Sequence, residues 1–101
     1  MTGTARSSHG LDPRRRRVLF RAWHRGTREM DLVLGRFADA YIGDLGEADL
    51  ADFEALMEVP DRDLFAWVTD REAVAANYAT PLYRAIVAFH ARPQPDSNEQ
   101  D

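Results

Sequence analysis

Residues 12–42 read DPRRRRVLFRAWHRGTREMDLVLGRFADAYI, and this stretch decides the fold. Asp12 followed by Pro13 is a helix start: the carboxylate can accept from free first-turn N–H groups, and proline fits the first helical position. Val18 and Ala22 are four residues apart, as are Leu19 and Trp23, so the four share one helix face, with Arg16, Arg17, Arg21 and Arg25 beside or opposite. Gly26 suits the residue just past a helix end. Thr27 can cap a second helix, with Glu29 favourable in its first turn. That helix carries Met30, Val33, Leu34, Phe37 and Tyr41 at helical steps and runs to Tyr41 or Ile42. Gly35 lies inside the stripe, where it costs about 1 kcal/mol of helix propensity and allows a close helix approach.

The rest of the chain follows the same grammar. Gly43 to Gly46 is a turn, and Glu47 to Met57 a third helix with Leu50, Phe53, Leu56 and Met57 inward. Pro60 and Asp61 restart the chain into a short fourth helix lined by Leu64, Phe65 and Val68, with Trp67 to its side. Thr69 to Ala79 reads as a loop with one helical turn over Ala73 to Ala76. Thr80-Pro81 opens a fifth helix carrying Leu82, Tyr83, Ile86, Val87 and Phe89. Phe53, Phe65, Trp67 and Phe89 are expected in the core. No stretch alternates with period two for long enough to argue a strand. The expectation is an all-α protein, a compact antiparallel bundle of five short helices over residues 11–92. Residues 1–10 form a flexible arm and 93–101 a polar, disordered acidic tail.

Composition narrows the function classes. With 101 residues the chain has room for one modest core, and 45 % hydrophobic with 30 % charged residues is globular rather than disordered. Cysteine is absent, which removes disulfides, thiolate nucleophiles and Cys-based metal sites. His9, His24 and His90 lack zinc-ligand spacing. Ser7, Ser8 and Ser97 lie in the tails, away from any candidate base. Glu29 and Asp31 point about 200° apart on a helix, so they do not form a paired-carboxylate site. No glycine-rich phosphate loop is present. The expectation is therefore a protein that is not an enzyme and has no catalytic residues and no metal. With no apolar run that could span a bilayer and no secretory h-region in residues 1–10, the cytoplasm is the default compartment.

The net charge of −4 hides an asymmetry: residues 1–36 carry nine Arg and three acids, residues 37–101 four Arg and fourteen acids. Every Lys/Arg position is Arg, whose rigid fork of donors suits carboxylates, phosphates and backbone carbonyls. The run Arg14 to Arg17 raises a nucleic-acid-binding or regulatory module using the basic first helix as an alternative, against which stands the acidic remainder of the domain. A solvated face, or a patch that steers toward an acidic protein surface, is the competing account.

The segment Trp23-His24-Arg25-Gly26-Thr27-Arg28-Glu29 gathers polar groups around a tight helix–helix junction. Two accounts stay open. In one, Arg25 satisfies last-turn carbonyls of the first helix, Glu29 satisfies the start of the second, and Arg25–Glu29 or Arg28–Glu29 contacts tie the junction. In the other, Gly26 keeps the backbone accessible and the two arginines project as a fork for a partner or an anionic ligand. Trp23, beside an Arg cluster, fits an interface centre.

These residues resemble the flavinylation assembly factors of succinate dehydrogenase, bacterial and mitochondrial. The resemblance centres on Arg25-Gly26-x-x-Glu29, with Leu19-Phe20 and Trp23 before it and Met30-Asp31-Leu32 and Phe37 after it. It continues through Phe53, Leu56-Met57 and Glu58 to Asp61-Arg62-Asp63-Leu64-Phe65-Ala66-Trp67. His24 stands where many relatives have a second Arg. The resemblance implies a small five-helix protein that binds the flavoprotein subunit of succinate dehydrogenase, and in some relatives that of fumarate reductase. It implies that the protein helps covalent attachment of FAD to that subunit while holding no FAD stably itself. Carried over, Arg25, Gly26 and Glu29 form the partner surface, with Arg28, His24 and Asp31 beside it. No nucleic acid or membrane insertion is implied, and the free protein is expected to be monomeric.

Overall fold

A computed structural model describes residues 10–92. The arm expected over residues 1–10 lies, apart from Gly10, outside the described residues, as does the tail expected over 93–101. Five α-helices follow one another: α1 (Pro13–Trp23), α2 (Arg28–Tyr41), α3 (Glu47–Leu56), α4 (Asp61–Val68) and α5 (Pro81–Ala91). Among the described residues there is no strand.

The helix starts form as the sequence dictates. The Asp12 carboxylate accepts from the Arg15 N–H at 3.1 Å with Pro13 in the first turn, and Thr27 Oγ1 accepts from the Met30 N–H at 3.2 Å. Thr80 Oγ1 accepts from the Tyr83 N–H at 3.0 Å and opens α5. Each cap satisfies one of the donors a helix start leaves without an intrahelical partner.

α1 and α2 form an antiparallel pair joined by a four-residue connection, and α2 and α3 both pack on α5. Phe37 on α2 is the centre of the aromatic core. Its ring meets Phe53 of α3 and Phe89 of α5 edge-on, each at 5.8 Å between centroids, and Tyr41 at 5.0 Å. Phe53 is fully buried, whereas Phe65, Trp67 and Phe89 are half-buried against the core rather than inside it.

Trp23 belongs to this core, with 9 % of its surface exposed. Its indole lies flat on Gly35, so close that a Cβ there would stand 2.4 Å from Cδ2 of the ring. Its Nε1–H donates to Asp39 Oδ1 at 3.1 Å. The close approach expected of Gly35 is thus an approach of an indole to a backbone, and Trp23, expected at an interface centre, is an internal side chain.

Two boundaries differ from the sequence reading. α3 ends at Leu56, one residue early, and the single helical turn in the 69–79 segment lies at Ala76–Tyr78 as a 3₁₀ turn, not over Ala73–Ala76. The cause is the end of α4. Asp70 adopts φ 64°, and the N–H groups of Arg71 and Glu72 both turn back onto the Ala66 carbonyl, at 2.8 and 3.2 Å. That cap holds the chain out of helix until Tyr78 reaches Trp67, 5.6 Å away between ring centroids.

Gly35→Ala is expected to destabilise the fold by about 1–3 kcal/mol, the usual cost of overpacking a filled core. Combined with Trp23→Leu the loss should be less than additive, since the clash partner has gone. Thermal melts of the two single variants and the double variant check this, and an unchanged melting point for Gly35→Ala would contradict the seating of the indole.

Candidate functional site

The connection between α1 and α2 is built around Arg25. Its side chain is 10 % exposed and reaches across to the α3–α4 turn. Nε donates to Asp61 Oδ1 at 2.7 Å, Nη1 to the Met57 carbonyl at 2.7 Å, and Nη2 to the Val59 carbonyl at 2.6 Å. Nη2 also lies 2.7 Å from Asp61 Oδ1. The backbone N–H of Arg25 donates to Asp31 Oδ1 at 2.8 Å, which fixes the connection to the first turn of α2. Met57 and Val59 end or follow α3, where carbonyls lack intrahelical donors. Asp61 starts α4, where a carboxylate is favoured by the helix dipole. One side chain therefore completes both sides of a helix–helix turn.

Of the two accounts left open above, the structural one fits Arg25, with a different acceptor. The carbonyls it satisfies belong to the end of α3, not to the last turn of α1. Among the described residues neither an Arg25–Glu29 nor an Arg28–Glu29 contact forms. The two arginines do not project as a fork: Arg28 is exposed and Arg25 is turned inward.

The seven residues expected at a partner surface divide accordingly. Trp23 and Arg25 are internal, and Asp31 is half-buried under the Arg25 backbone. His24, Gly26, Arg28 and Glu29 are exposed. Gly26 adopts φ 110°, a region side chains rarely enter, and a Cβ there would meet nothing within 4 Å. Its glycine is required within this chain by conformation alone. Arg28 and Glu29 form no hydrogen bond or ion pair among the described residues, although they flank a junction otherwise fully wired. That Asp61 and Asp39 are the partners of Arg25 and Trp23 carried no sequence signal, since each lies far along the chain from the residue it holds, although Asp61 itself stands out as the helix restart and in the block shared with the family.

The basic run of α1 is also largely engaged by the protein itself. Arg14 makes a two-pronged pair with Glu54, Nε to Oε2 at 2.9 Å and Nη2 to Oε1 at 2.8 Å, and also reaches Glu47. Arg15 donates to the Ile42 carbonyl at 3.0 Å and to the Leu45 carbonyl, capping the end of α2. Arg21 pairs with Glu58 at 2.9 Å. A nucleic-acid surface built on Arg14 to Arg17 is thereby disfavoured: three of its four guanidinium groups are turned onto the protein's own carboxylates and carbonyls, Arg16 donating to the Leu11 carbonyl at 2.6 Å. The hydrogen bonds from Arg14 hold the Glu54 carboxyl below its ordinary range, and those from Glu54 and Glu47 raise Arg14 in turn.

Comparison with known proteins fits this geometry into a family. A family model described as flavinator of succinate dehydrogenase matches residues 16–90, from the first turn of α1 through α5. The chain belongs to this family. The FAD assembly factor SdhE of Acetobacter pasteurianus is 40 % identical over 77 residues, which cover 76 % of this chain and 71 % of that protein. Succinate dehydrogenase assembly factor 2, mitochondrial, of Dictyostelium discoideum is 32 % identical over 85 residues, 84 % of this chain and 60 % of that protein. The protein of the same name from Mycosarcoma maydis is 35 % identical over 74 residues, 73 % of this chain but only 31 % of its own length. This flavinator-family chain thus spans most of the bacterial relative and a smaller share of the two eukaryotic ones. Among the described residues no helix is long and apolar enough to cross a membrane.

Two expectations follow for this member of the family. Arg25→Ala strands Asp61 and two carbonyls, and should cost about 3–5 kcal/mol, the range for breaking one side of a buried pair. Arg25→Lys should recover little, because one ammonium cannot match the planar fork. Arg28→Ala and Glu29→Ala should stay within about 0.5 kcal/mol of the parent, and denaturant melts of the four variants check the contrast. The second concerns pH. Because the Glu54 pKa is lowered on folding, its contribution is present above the ordinary carboxylate range and is lost as pH falls through that range to the folded value. The gap in melting point between parent and Glu54→Gln should therefore narrow as pH falls below the ordinary carboxylate range, and a gap that widens on acidification would contradict this sign.

Proposed function

We propose that the chain is an assembly factor that docks on the flavoprotein subunit of succinate dehydrogenase and promotes covalent attachment of FAD to it, without itself being an enzyme. The observation that carries this reading is the exposed, unpartnered Arg28–Glu29 pair on a junction held rigid from beneath by Arg25, within a chain whose family match covers every helix. Rigid placement of a few polar groups lowers the cost of ordering them on a partner. Gly26, exposed and without a side chain, leaves the backbone open to close approach from outside. In this reading Arg25 positions the junction, and Arg28 and Glu29 make the contacts.

The chemistry of attachment belongs to the client, whose bound FAD supplies an electrophilic methyl carbon and whose histidine supplies the nucleophile. The helper's share is to hold the flavin domain in a competent arrangement, a gain of orientation across an interface. A client-held FAD also suits the residues present here. The glycine that starts α3, Gly46, is followed by Glu47 and Asp49, acids that repel a pyrophosphate. The setting taken in this reading is the cytoplasm of a bacterium, with a free monomer and with the fumarate reductase flavoprotein as a second client.

Deleting the gene in its host and measuring covalent flavin by in-gel fluorescence of the denatured flavoprotein subunit tests the proposal. Covalent flavin should fall at least tenfold, return with the parent gene, and return poorly with Arg28→Ala, Glu29→Ala or the pair, all of which keep the fold. Undiminished covalent flavin in the deletion strain would overturn the assembly role. Full rescue by the double variant would remove Arg28 and Glu29 from it.

A further inference from the structure

Phe20 is the most exposed large apolar side chain among the described residues, at 61 %, and it sits in the middle of α1, where folding gives it nothing to cover. Its ring is nevertheless held. It stacks on the His24 imidazole at 3.9 Å between centroids and 18° between planes. His24 is itself anchored, with Nδ1 2.7 Å from the Phe20 carbonyl. A carbonyl oxygen can only accept, so Nδ1 carries the hydrogen and Nε2 is left without a partner among the described residues. An aromatic residue on the outer helix face is thus fixed by its neighbour one turn on, and the loss of side-chain freedom that binding demands has in part been met beforehand.

The local sequence is of one sign, although acids of α3 and its end, Glu54 and Glu58, pair with Arg14 and Arg21 of α1. From Pro13 to Arg28 the chain has no acid. Arg14, Arg15, Arg21 and Arg25 are engaged with the protein's own acceptors, whereas Arg17, exposed one turn before Phe20, has no hydrogen bond or ion pair among the described residues. Arg28 is in the same state beyond the junction. An aromatic anchor flanked by exposed arginines without a hydrogen bond or ion pair matches the composition of the centres of protein–protein interfaces.

We propose that Phe20, stacked on His24, is the apolar anchor by which the chain docks on its client flavoprotein, inserting into an apolar recess rimmed by carboxylates that meet Arg17 and Arg28. The inference rests on the assembly-factor reading and extends its surface from the Arg28–Glu29 pair along the outer face of α1. The occupant is argued from two features: Arg17, exposed beside Phe20 with no hydrogen bond or ion pair among the described residues, offers its fork to an acidic rim, and His24 makes the anchor continuous with the junction.

The test measures binding of the full chain to the purified flavoprotein subunit of succinate dehydrogenase, for the parent, Phe20→Ala, Phe20→Tyr and Arg17→Gln. Phe20→Ala should keep its melting point and bind at least tenfold more weakly, mainly through faster dissociation. Phe20→Tyr should retain most of the affinity. Arg17→Gln should slow association and flatten its dependence on salt. Should Phe20→Ala lower the melting point, amide-exchange protection of residues 17–24 in the parent complex decides instead, and absence of protection overturns the proposal. Affinity of Phe20→Ala within twofold of the parent also overturns it. That result together with a loss of binding in the Arg28→Ala, Glu29→Ala variant would leave the assembly-factor reading standing. A parent chain that does not bind the subunit at all overturns both. A dimer of the parent in sedimentation that Phe20→Ala converts to monomer would give the anchor to a second copy of this chain and likewise overturn it.

Discussion

The contact on which the rest depends is the one between the Arg25 guanidinium and the α3–α4 turn. Two helix ends meet there, one with surplus acceptors and one that favours a carboxylate. A planar cation with donors on three nitrogens satisfies both at once, at 2.6–2.7 Å to each of three acceptors. A buried pair of this kind is weak evidence of net stability, because two charges have left water. Its stronger consequence is geometric. The α1–α2 connection has one permitted position relative to α3 and α4, and the first turn of α2 inherits that position through Asp31.

The same device recurs. Arg15 lies on the carbonyls at the end of α2 as Arg25 lies on those after α3, and Arg14 and Arg21 clamp acids of α3 and just beyond it. This accounts for much of the charge asymmetry. The positive first third of the chain is not chiefly a field presented to the outside; it is the counterpart of the acidic remainder, folded onto it. Forked donors suit carboxylates and paired carbonyls where a lysine would offer a single point charge. What is left unpaired is correspondingly small, and it lies along α1 and the start of α2.

Elements whose causes are local were legible in the sequence. Asp12-Pro13, Thr27 and Thr80-Pro81 act within three residues of themselves, and each cap forms. Gly26 has the positive φ, 110°, that suits glycine, but α1 ends at Trp23 with His24 as its cap, so the glycine lies within the connection rather than just past the helix end. Less was legible where the cause lies far away. Nothing near Arg25 announces Asp61, and no periodicity distinguishes an arginine that projects from one that turns inward. Trp23 and Gly35 were each noticed, but their contact depends on how two helices cross. The 3₁₀ turn was misplaced because the left-handed Asp70 and the double return onto the Ala66 carbonyl are properties of a helix end, not of composition.

The Arg-Gly-x-x-Glu segment therefore unites three kinds of necessity under one short pattern. Arg25 is needed because two helix ends and a carboxylate lack donors without it. Gly26 is needed because the backbone there enters a region that a Cβ resists. Neither requirement refers to a partner, and both would hold for a free protein. Glu29 differs: it is exposed, it makes no contact among the described residues, and the helix-dipole benefit of an acid in a first turn is a few tenths of a kcal/mol up to about 1. A side chain that contributes so little to its own fold, placed by residues that contribute much, is the position of the segment that the fold leaves open to the docking proposed above. The first two positions build the platform and the last stands on it, so the functional content of the segment cannot be read from its letters as equals.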